Sequence, residues 1–423
     1  MDASSKQNRL LICSFFTQQL AEFSVQLFRE IVKNQQNAGG NTIFSPISVV
    51  LALSCLYTGS NNKTKRQIGQ AIQNICENPS MDDESTLDEN LKKICKILLK
   101  KGRLMSRSLS SPGPDDVALT PGVLFLLNRF YCEKTLHIST KYSQNLRQYF
   151  CSDIFPVDFK NDSSTLQQEI NTTISEDTDD NIIQILHTNW LSPNTRLLLL
   201  NGCYFKSDWS MPFAENSTRQ SKFYVNEMSY KEMPFLCTDS NSSIQTTATH
   251  FRYTEDDFCK TLIMPYAGSR YSLALILPTK RFGLNDLEEA LTGENLLSLL
   301  RTAYKTHVEV QIPKFKLRQT IDLVPCLKAL GISDLFSDMA DLSHIIENED
   351  LHLDEALHQS CLKVTERGTD SCNNNEPGSE PPKVAVAEFS YPKCYNFFAN
   401  HPFLFVLIEE HTNAFVFLGH FYG

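Results

Sequence analysis

A chain of 423 residues, 41% apolar and 21% charged, has an ordinary globular composition. That excludes a collagen-like repeat, a disordered polyelectrolyte and a small disulfide-stapled scaffold. Thirty-nine Lys and Arg against 49 Asp and Glu leave a net charge of −10, the wrong sign for a chain that binds nucleic acid over its surface.

No stretch approaches the roughly 18 apolar residues that a membrane span requires. Residues 1–19 form a lead-in, either a weak secretion signal or the start of the first helix. Leu10 to Phe16 is minimal for a signal core, and no small-x-small cleavage pattern follows it. Leu20, Phe23, Leu27, Phe28 and Ile31 recur at three and four residues, which predicts an amphipathic helix ended by Gly39-Gly40. A second helix opens at Phe44-Ser45-Pro46-Ile47-Ser48, with Ser45 as N-cap and Pro46 in the first turn. It is apolar almost all round through Leu56, so it should be buried.

Residues 81–89 are acidic, and the sign then reverses. Lys92, Lys93, Lys96, Lys100, Lys101, Arg103 and Arg107 form a basic helix and loop over 91–118. Strands are expected at Val123–Phe130, Arg196–Phe205, Lys260–Met264, Tyr271–Leu277 and Val308–Ile312. Helical patterns lie near 141–150, 163–176 and 284–303. His352 to Thr365 is a long extended run, residues 366–382 are polar and rich in Asn, Gly and Pro, and Phe403 to Phe421 is strongly strand-forming. This is an α+β layout with no internal repeat and no linker, so 20–423 reads as a single domain.

The thirteen cysteines are scattered from Cys13 to Cys394, with no C-x-x-C and no zinc spacing. Several, such as Cys55 and Cys203, sit among apolar or small residues and read as buried free thiols, which favour a reducing compartment. The phosphate-binding, dinucleotide, zinc-protease and G-x-S-x-G motifs are absent. The pairs Glu409-Glu410 and Asp179-Asp180 are adjacent in sequence, so in a strand they would point to opposite faces and make poor acid/base dyads. Nothing nominates a nucleophile together with its base.

Several segments in order across nearly the whole chain resemble the serpin family. They are Asn41–Ser48, Leu200–Lys206 with Trp209, Met264-Pro265-Tyr266 with Leu277-Pro278, Ile312–Lys316, Leu330-Gly331-Ile332 with Asp334-Leu335-Phe336, Ala340–Ser343, Ala399–Phe405 and Phe417-Leu418-Gly419. The resemblance implies a serpin fold of three β-sheets and eight or nine helices, with an exposed reactive loop at 366–396. It implies a monomer with no cofactor or metal, whose partner is a serine or cysteine protease. That protease cleaves the loop and is trapped when the loop inserts as a new strand into the main sheet. The protein would then be an inhibitor that is consumed, and no enzyme. The family resemblance favours an extracellular location; the cysteines and the unclear signal favour a cytoplasmic one.

Residue by residue, the loop hinge resembles Glu366, Arg367, Gly368, Thr369, Asp370 and Ser371. Gly368 is expected to supply backbone freedom, and Thr369 to enter the sheet first. Inhibitory relatives continue with small residues, but here Cys372, Asn373, Asn374, Asn375, Glu376 and Pro377 follow. Alternate residues from Thr369 would face the core, and burying Asn373 and Asn375 unpaired would cost ~1–3 kcal/mol each. Pro377 would remove a ladder donor. The alternative is therefore a non-inhibitory serpin that serves as a binding or carrier module. The scissile bond falls among Pro382, Lys383, Glu388, Phe389, Ser390 and Tyr391. Ser45, Ser48, Asn201 and His358 resemble the sheet-opening network. Lys92, Lys93, Lys96, Lys100, Lys101 and Arg103 fall where some relatives bind sulfated glycosaminoglycans, a use that clustered cations allow on an acidic protein.

Overall fold

The computed structural model describes residues 3–35, 39–73, 87–92, 95, 122–161, 163–187, 190–238, 250–347, 349–370 and 394–423. The first helix, α1 (Ala3–Asn34), takes up the lead-in as well as the predicted amphipathic stretch. The second, α2 (Pro46–Gly59), is capped as its sequence predicts: the Ser45 side chain accepts from the Ser48 N–H. Its apolar circumference is buried on every side, as a helix at the centre of a fold requires. α3 (Asn62–Gln73) follows, then helical residues 87–92, here α4. α5 (Thr140–Asn145) runs into a π-type turn over Leu146–Phe150. The long pattern near 284–303 is two helices, α7 (Leu284–Ala290) and α8 (Gly293–Thr302), after α6 (Ser163–Asp177). Gly293, the first residue of α8, lets α1 pack closely there, because a Cβ would fall 2.3 Å from the Glu22 nitrogen in α1. α9 (Leu323–Ala329) completes the helices used below.

The main sheet has six strands: β2 (Val123–Glu133), β3 (Asp153–Val157), β4 (Leu197–Asp208), β11 (Phe315–Asp322), β12 (Glu355–Val364) and β13 (Gly368–Asp370). Their order is β11-β12-β13-β4-β2-β3, and β12 also pairs directly with β4. The other strands are β1 (Thr42–Phe44), β5 (Arg219–Asn226), β6 (Ser229–Cys237), β7 (His250–Glu255), β8 (Cys259–Pro265), β9 (Tyr271–Pro278), β10 (Tyr304–Pro313), β14 (Cys394–Phe398), β15 (Phe403–Glu409) and β16 (Ala414–Phe421). Where the resemblance implied two further sheets, they form one ten-stranded ladder, β1-β16-β15-β9-β8-β7-β10-β6-β5 with β14 beside β10, and β10 makes the join. The first half of β10 pairs with β7 and its second half with β6.

The faces of β12 follow from alternation. Ala356 enters the central core over α2, and Leu362 and Val364, on the same face, enter a second core with Phe205 and Phe315, whereas Leu357 joins the cluster on the opposite face with Ile170 and Ile174 of α6. Gln359 faces the same way as Leu357 and is bonded to Ile183. The expected buried free thiols are present: among the described residues, seven of the nine free cysteines are buried, Cys55 and Cys203 among them. Burial pushes the Cys203 thiol up to about 12, which makes it inert. Cys361 departs from that reading, because it is disulfide-bonded.

Candidate functional site at the seam of the main sheet

The site is the seam between β12 and β4. Along most of it the two strands pair with each other in parallel, from Glu355 opposite Leu198 to Cys361 opposite Tyr204. At the upper end they separate, and β13 enters between them. Val364 and Lys363 of β12 face Thr369 and Asp370, while Asp208 and Ser207 of β4 face Gly368 and Thr369. The seam is therefore a closed parallel pair with the first residues of an antiparallel strand already wedged into its top.

The turn that delivers this wedge is firmly held. The Thr365 N–H and hydroxyl both donate to the Gly368 carbonyl, at 2.8 and 2.9 Å. The Trp209 N–H donates to Arg367 O at 2.7 Å and the Phe213 N–H to Glu366 O at 2.8 Å. The Trp209 indole N–H donates to Thr365 O at 2.9 Å. The Glu366 carboxylate sits 2.8 Å from the Lys314 ammonium and accepts from the Thr218 hydroxyl at 2.9 Å. Burial alone would raise its carboxyl, but Lys314 and Thr218 overcome that and hold it below the usual range. Arg367 forks onto Asp208, Nε to Oδ1 at 2.9 Å and the second contact at 3.2 Å.

Thr369 is 2% exposed, and its Oγ1 lies 2.5 Å from the Tyr266 hydroxyl. Tyr266 is itself buried and stacks on Trp209 at 4.2 Å, so one aromatic pair lies against both the hinge and its turn. Gly368 is needed for a reason other than the one expected. Its φ is not positive, but a Cβ there would lie 2.0 Å from the Ser207 carbonyl oxygen. Close approach of two backbones, and no unusual rotation, excludes a side chain at this position.

Farther down, the seam covers a polar network in an otherwise apolar core. His358 and Asn201 are directly opposed in the parallel pair. The Ser45 N–H donates to His358 Nε2 at 2.8 Å, so Nε2 is the acceptor and the neutral ring carries its proton on Nδ1. That proton is donated to Asn201 Oδ1. The Ser360 hydroxyl also bonds Nε2 at 2.8 Å. The Asn201 amide donates to Ser48 O and Oγ at 3.0 and 2.8 Å, and to Asn128 Oδ1. Complete burial lowers the His358 pKa to about 3, so the ring is neutral at physiological pH.

A family model described as Serpin (serine protease inhibitor) matches residues 18–423. The chain belongs to the serpin family. Serpin B3 of Homo sapiens is 28% identical over 95% of this chain and 97% of its own length. The leukocyte elastase inhibitor of Xenopus tropicalis is 28% identical over 94% and 97%. Among solved structures, a tumour suppressing serpin aligns with TM-score 0.77 at 25% identity, over 96% of this chain and 99% of that one. Human thyroxine-binding globulin complexed with its ligand aligns with TM-score 0.78 at 22% identity, over 97% and 99%, a likeness of fold alone.

Of the residues singled out in the sequence of this serpin, Glu366, Arg367, Gly368 and Thr369 converge at the top of the seam. Asp370 continues the same strand. Ser45, Ser48, Asn201 and His358 converge beneath it. Sequence reasoning missed Asn128 and Ser360 of the network, and Asp208, Thr218, Tyr266 and Lys314 around the hinge. Trp209 and Tyr266 belonged to quoted segments, but nothing local assigned them a contact. Lys92 is spent within the fold: it pairs with Asp88 four residues earlier and lies 5.3 Å above the Tyr149 ring. Lys93, Lys96, Lys100, Lys101 and Arg103 lie outside the described residues, as do Ser371 and the scissile candidates Pro382, Lys383, Glu388, Phe389, Ser390 and Tyr391. Among the described residues, no helix is long and apolar enough to cross a membrane.

Proposed function

We propose that this serpin inhibits serine-type endopeptidases by inserting its cleaved loop into the β12–β4 seam, trapping the protease as an acyl-enzyme. The observation that carries the reading is the buried Thr369, in the short strand β13 that lies between the upper ends of β12 and β4. Insertion needs only continuation of this register. Each added residue replaces a parallel contact between β12 and β4 with two antiparallel ones. Cleavage releases the far end of the loop, so the gain becomes available only after the protease has acted.

The register also changes the weight of the asparagines. Val364 faces Thr369, so in an antiparallel continuation His358 faces Asn375; Ser207 faces Thr369, so Asn201 also faces Asn375. Asn375 would thus separate the His358–Asn201 pair and offer its amide to both. Asn373 would fall beside Ser360 and Cys203. An amide that finds partners does not bear the full cost of burial. Pro377 falls between Ala356 and Leu199, where its missing N–H leaves one strand carbonyl unpaired. That position is the specific support for the second reading, a non-inhibitory binding module.

The deciding experiment is incubation with trypsin-, chymotrypsin- and cathepsin-like proteases, followed by denaturing electrophoresis. A covalent complex stable in detergent supports trapping. A cleaved loop without any complex defeats it and leaves the binding module. The mass of the released C-terminal peptide identifies the bond within 382–391. We further propose a monomer in a reducing compartment, a reading supported by the nine free thiols among the described residues.

A further inference from the structure

One face of the ten-stranded ladder changes character at its end. Arg252 of β7 is paired with Ile263 of β8, which is paired with Ala274 of β9, and Ile263 and Ala274 both enter the central core. Alternation from these positions puts His250 and Arg252 of β7, Pro265 of β8 and Ser272 of β9 on that same face. β10 extends it, with Lys305 opposite Arg252 and His307 opposite His250. Ser272 is opposite Ile408 of β15, and the Glu410 N–H donates to Arg270 O at 2.8 Å, so the pairing continues and Glu410 falls on this face as well. An apolar face thus ends in cations, imidazoles, a serine and one carboxylate.

His250, Arg252, Lys305, Ser272 and Glu410 line a cleft of about 420 Å3, together with Ser210, Met211 and Ser269. That volume lies within the ~300–1,000 Å3 of small-molecule sites. Ser210 is fixed there, since its N–H and its hydroxyl both donate to the Pro265 carbonyl at 3.0 Å. Arg252 reaches Glu410 at 2.5 Å, so the carboxylate of the cleft is already answered. Lys305 is exposed, and among the described residues no carboxylate pairs with it. The fixed charges therefore leave one net positive charge facing the cleft. The His250 ring lies 6.3 Å from that of His307. Burial first, and then Lys305 and His307, lower the His250 pKa, as crowded cations do.

We propose that this cleft binds a small phosphate or sulfate monoester, its oxyanion against Lys305 and Arg252 and its organic group toward Met211 and Pro265. Lys305 supplies the uncompensated charge, and Arg252 has five N–H donors, enough to hold Glu410 and the ligand together. The donors come from two strands and from serines on other segments, which suits an acid group with three terminal oxygens better than a planar carboxylate. The cleft is larger than one oxyanion, so the remainder takes the organic part of an ester. The assignment stands apart from protease trapping, and its test does not involve a protease.

The intact protein is titrated by calorimetry with phenyl phosphate and, separately, with phenyl sulfate, near neutral pH and at about 0.15 M salt. One site with a Kd below ~1 mM is expected for at least one of them, and the tighter of the two identifies the ester. Phenol should not bind. Lys305→Gln should weaken the tighter ester by at least about tenfold, the loss of a charged hydrogen bond. Glu410→Gln should tighten it roughly threefold, because a like charge beside the oxyanion is removed and Arg252 is released. A gain in affinity cannot come from misfolding, which keeps the test informative if Lys305→Gln folds poorly. Binding carried instead by the basic segment 91–118 would be untouched by either substitution. Absence of saturable binding by both esters, equal binding of phenol, or an affinity unchanged in both variants overturns the site.

Discussion

Replacing Gly368 by Ala should release the hinge without touching the rest of the sheet. The added Cβ would sit 2.0 Å from the Ser207 oxygen and 2.7 Å from the Asp208 Cα. Both are backbone atoms at the end of β4, just beyond its ladder with β2, which runs to Lys206, and neither can rotate aside. Relief must come from retreat of β13 by more than an ångström. That loses the 2.5 Å contact between Thr369 and Tyr266 and strains the 2.7 Å bond from Trp209 to Arg367. Overpacking of this kind costs about 1–3 kcal/mol. At 1.4 kcal/mol per tenfold, the undocked hinge becomes roughly 5- to 150-fold more populated. The assay is amide hydrogen exchange on the intact, reduced protein, read at residues 365–370 and at Trp209. Exchange should accelerate there by that factor and stay unchanged in β9. Unchanged exchange at both places would mean that the hinge is not held in the seam, and the reasoning would fail.

Three further outcomes follow from the same geometry. Asn375→Leu should leave the melting midpoint of the intact protein unchanged, because His358 and Asn201 are then paired with each other. It should destabilise the cleaved form by about 1–3 kcal/mol, since two buried polar groups lose a partner; equal melts of the cleaved variants would exclude position 375 from the seam. Glu355 is pushed up to about 7, chiefly by burial and then by Asp322 and Asp354. A carboxyl raised from 4.5 contributes stability below 4.5 and loses it as pH rises through 7, so Glu355→Gln should stabilise at pH 8 by on the order of 1–2 kcal/mol, allowing for its part-exposed position, and much less at pH 4.5. The same difference at both pH values would contradict this. On immobilised heparin the protein should elute above about 0.15 M salt, and Gln at Lys93, Lys96, Lys100, Lys101 and Arg103 should bring elution below it, with Lys92 contributing little; elution of the unaltered protein below 0.15 M would remove the glycosaminoglycan reading.

The elements were legible where local chemistry decides them. Ser45-Pro46 marks a helix start in sequence as plainly as in space, and the apolar circumference of α2 announces burial. The hinge was found because Gly368 and Thr369 stand in a recognisable run. Its physics was not, because the crowding of Gly368 comes from Ser207, 161 positions away in the chain. Tyr266 and Thr369 meet across 103 residues, and neither carries a local signal of the other. Asn128 and Ser360 are common residues that become a network only when β2, β4 and β12 are aligned. The asparagines after the hinge looked prohibitive while each interior position counted as apolar; the register supplies one polar level at that depth.

On the proposed mechanism the β12–β4 seam withholds a strand until the loop is cut. The most direct measurement is the melting midpoint of the protein before and after nicking within 382–391, with both pieces retained and under the same reducing conditions. A midpoint well above that of the intact protein is predicted, because the nicked chain completes the strand that Thr369 begins. An equal or lower midpoint would contradict the account and leave a serpin fold that stores no strand.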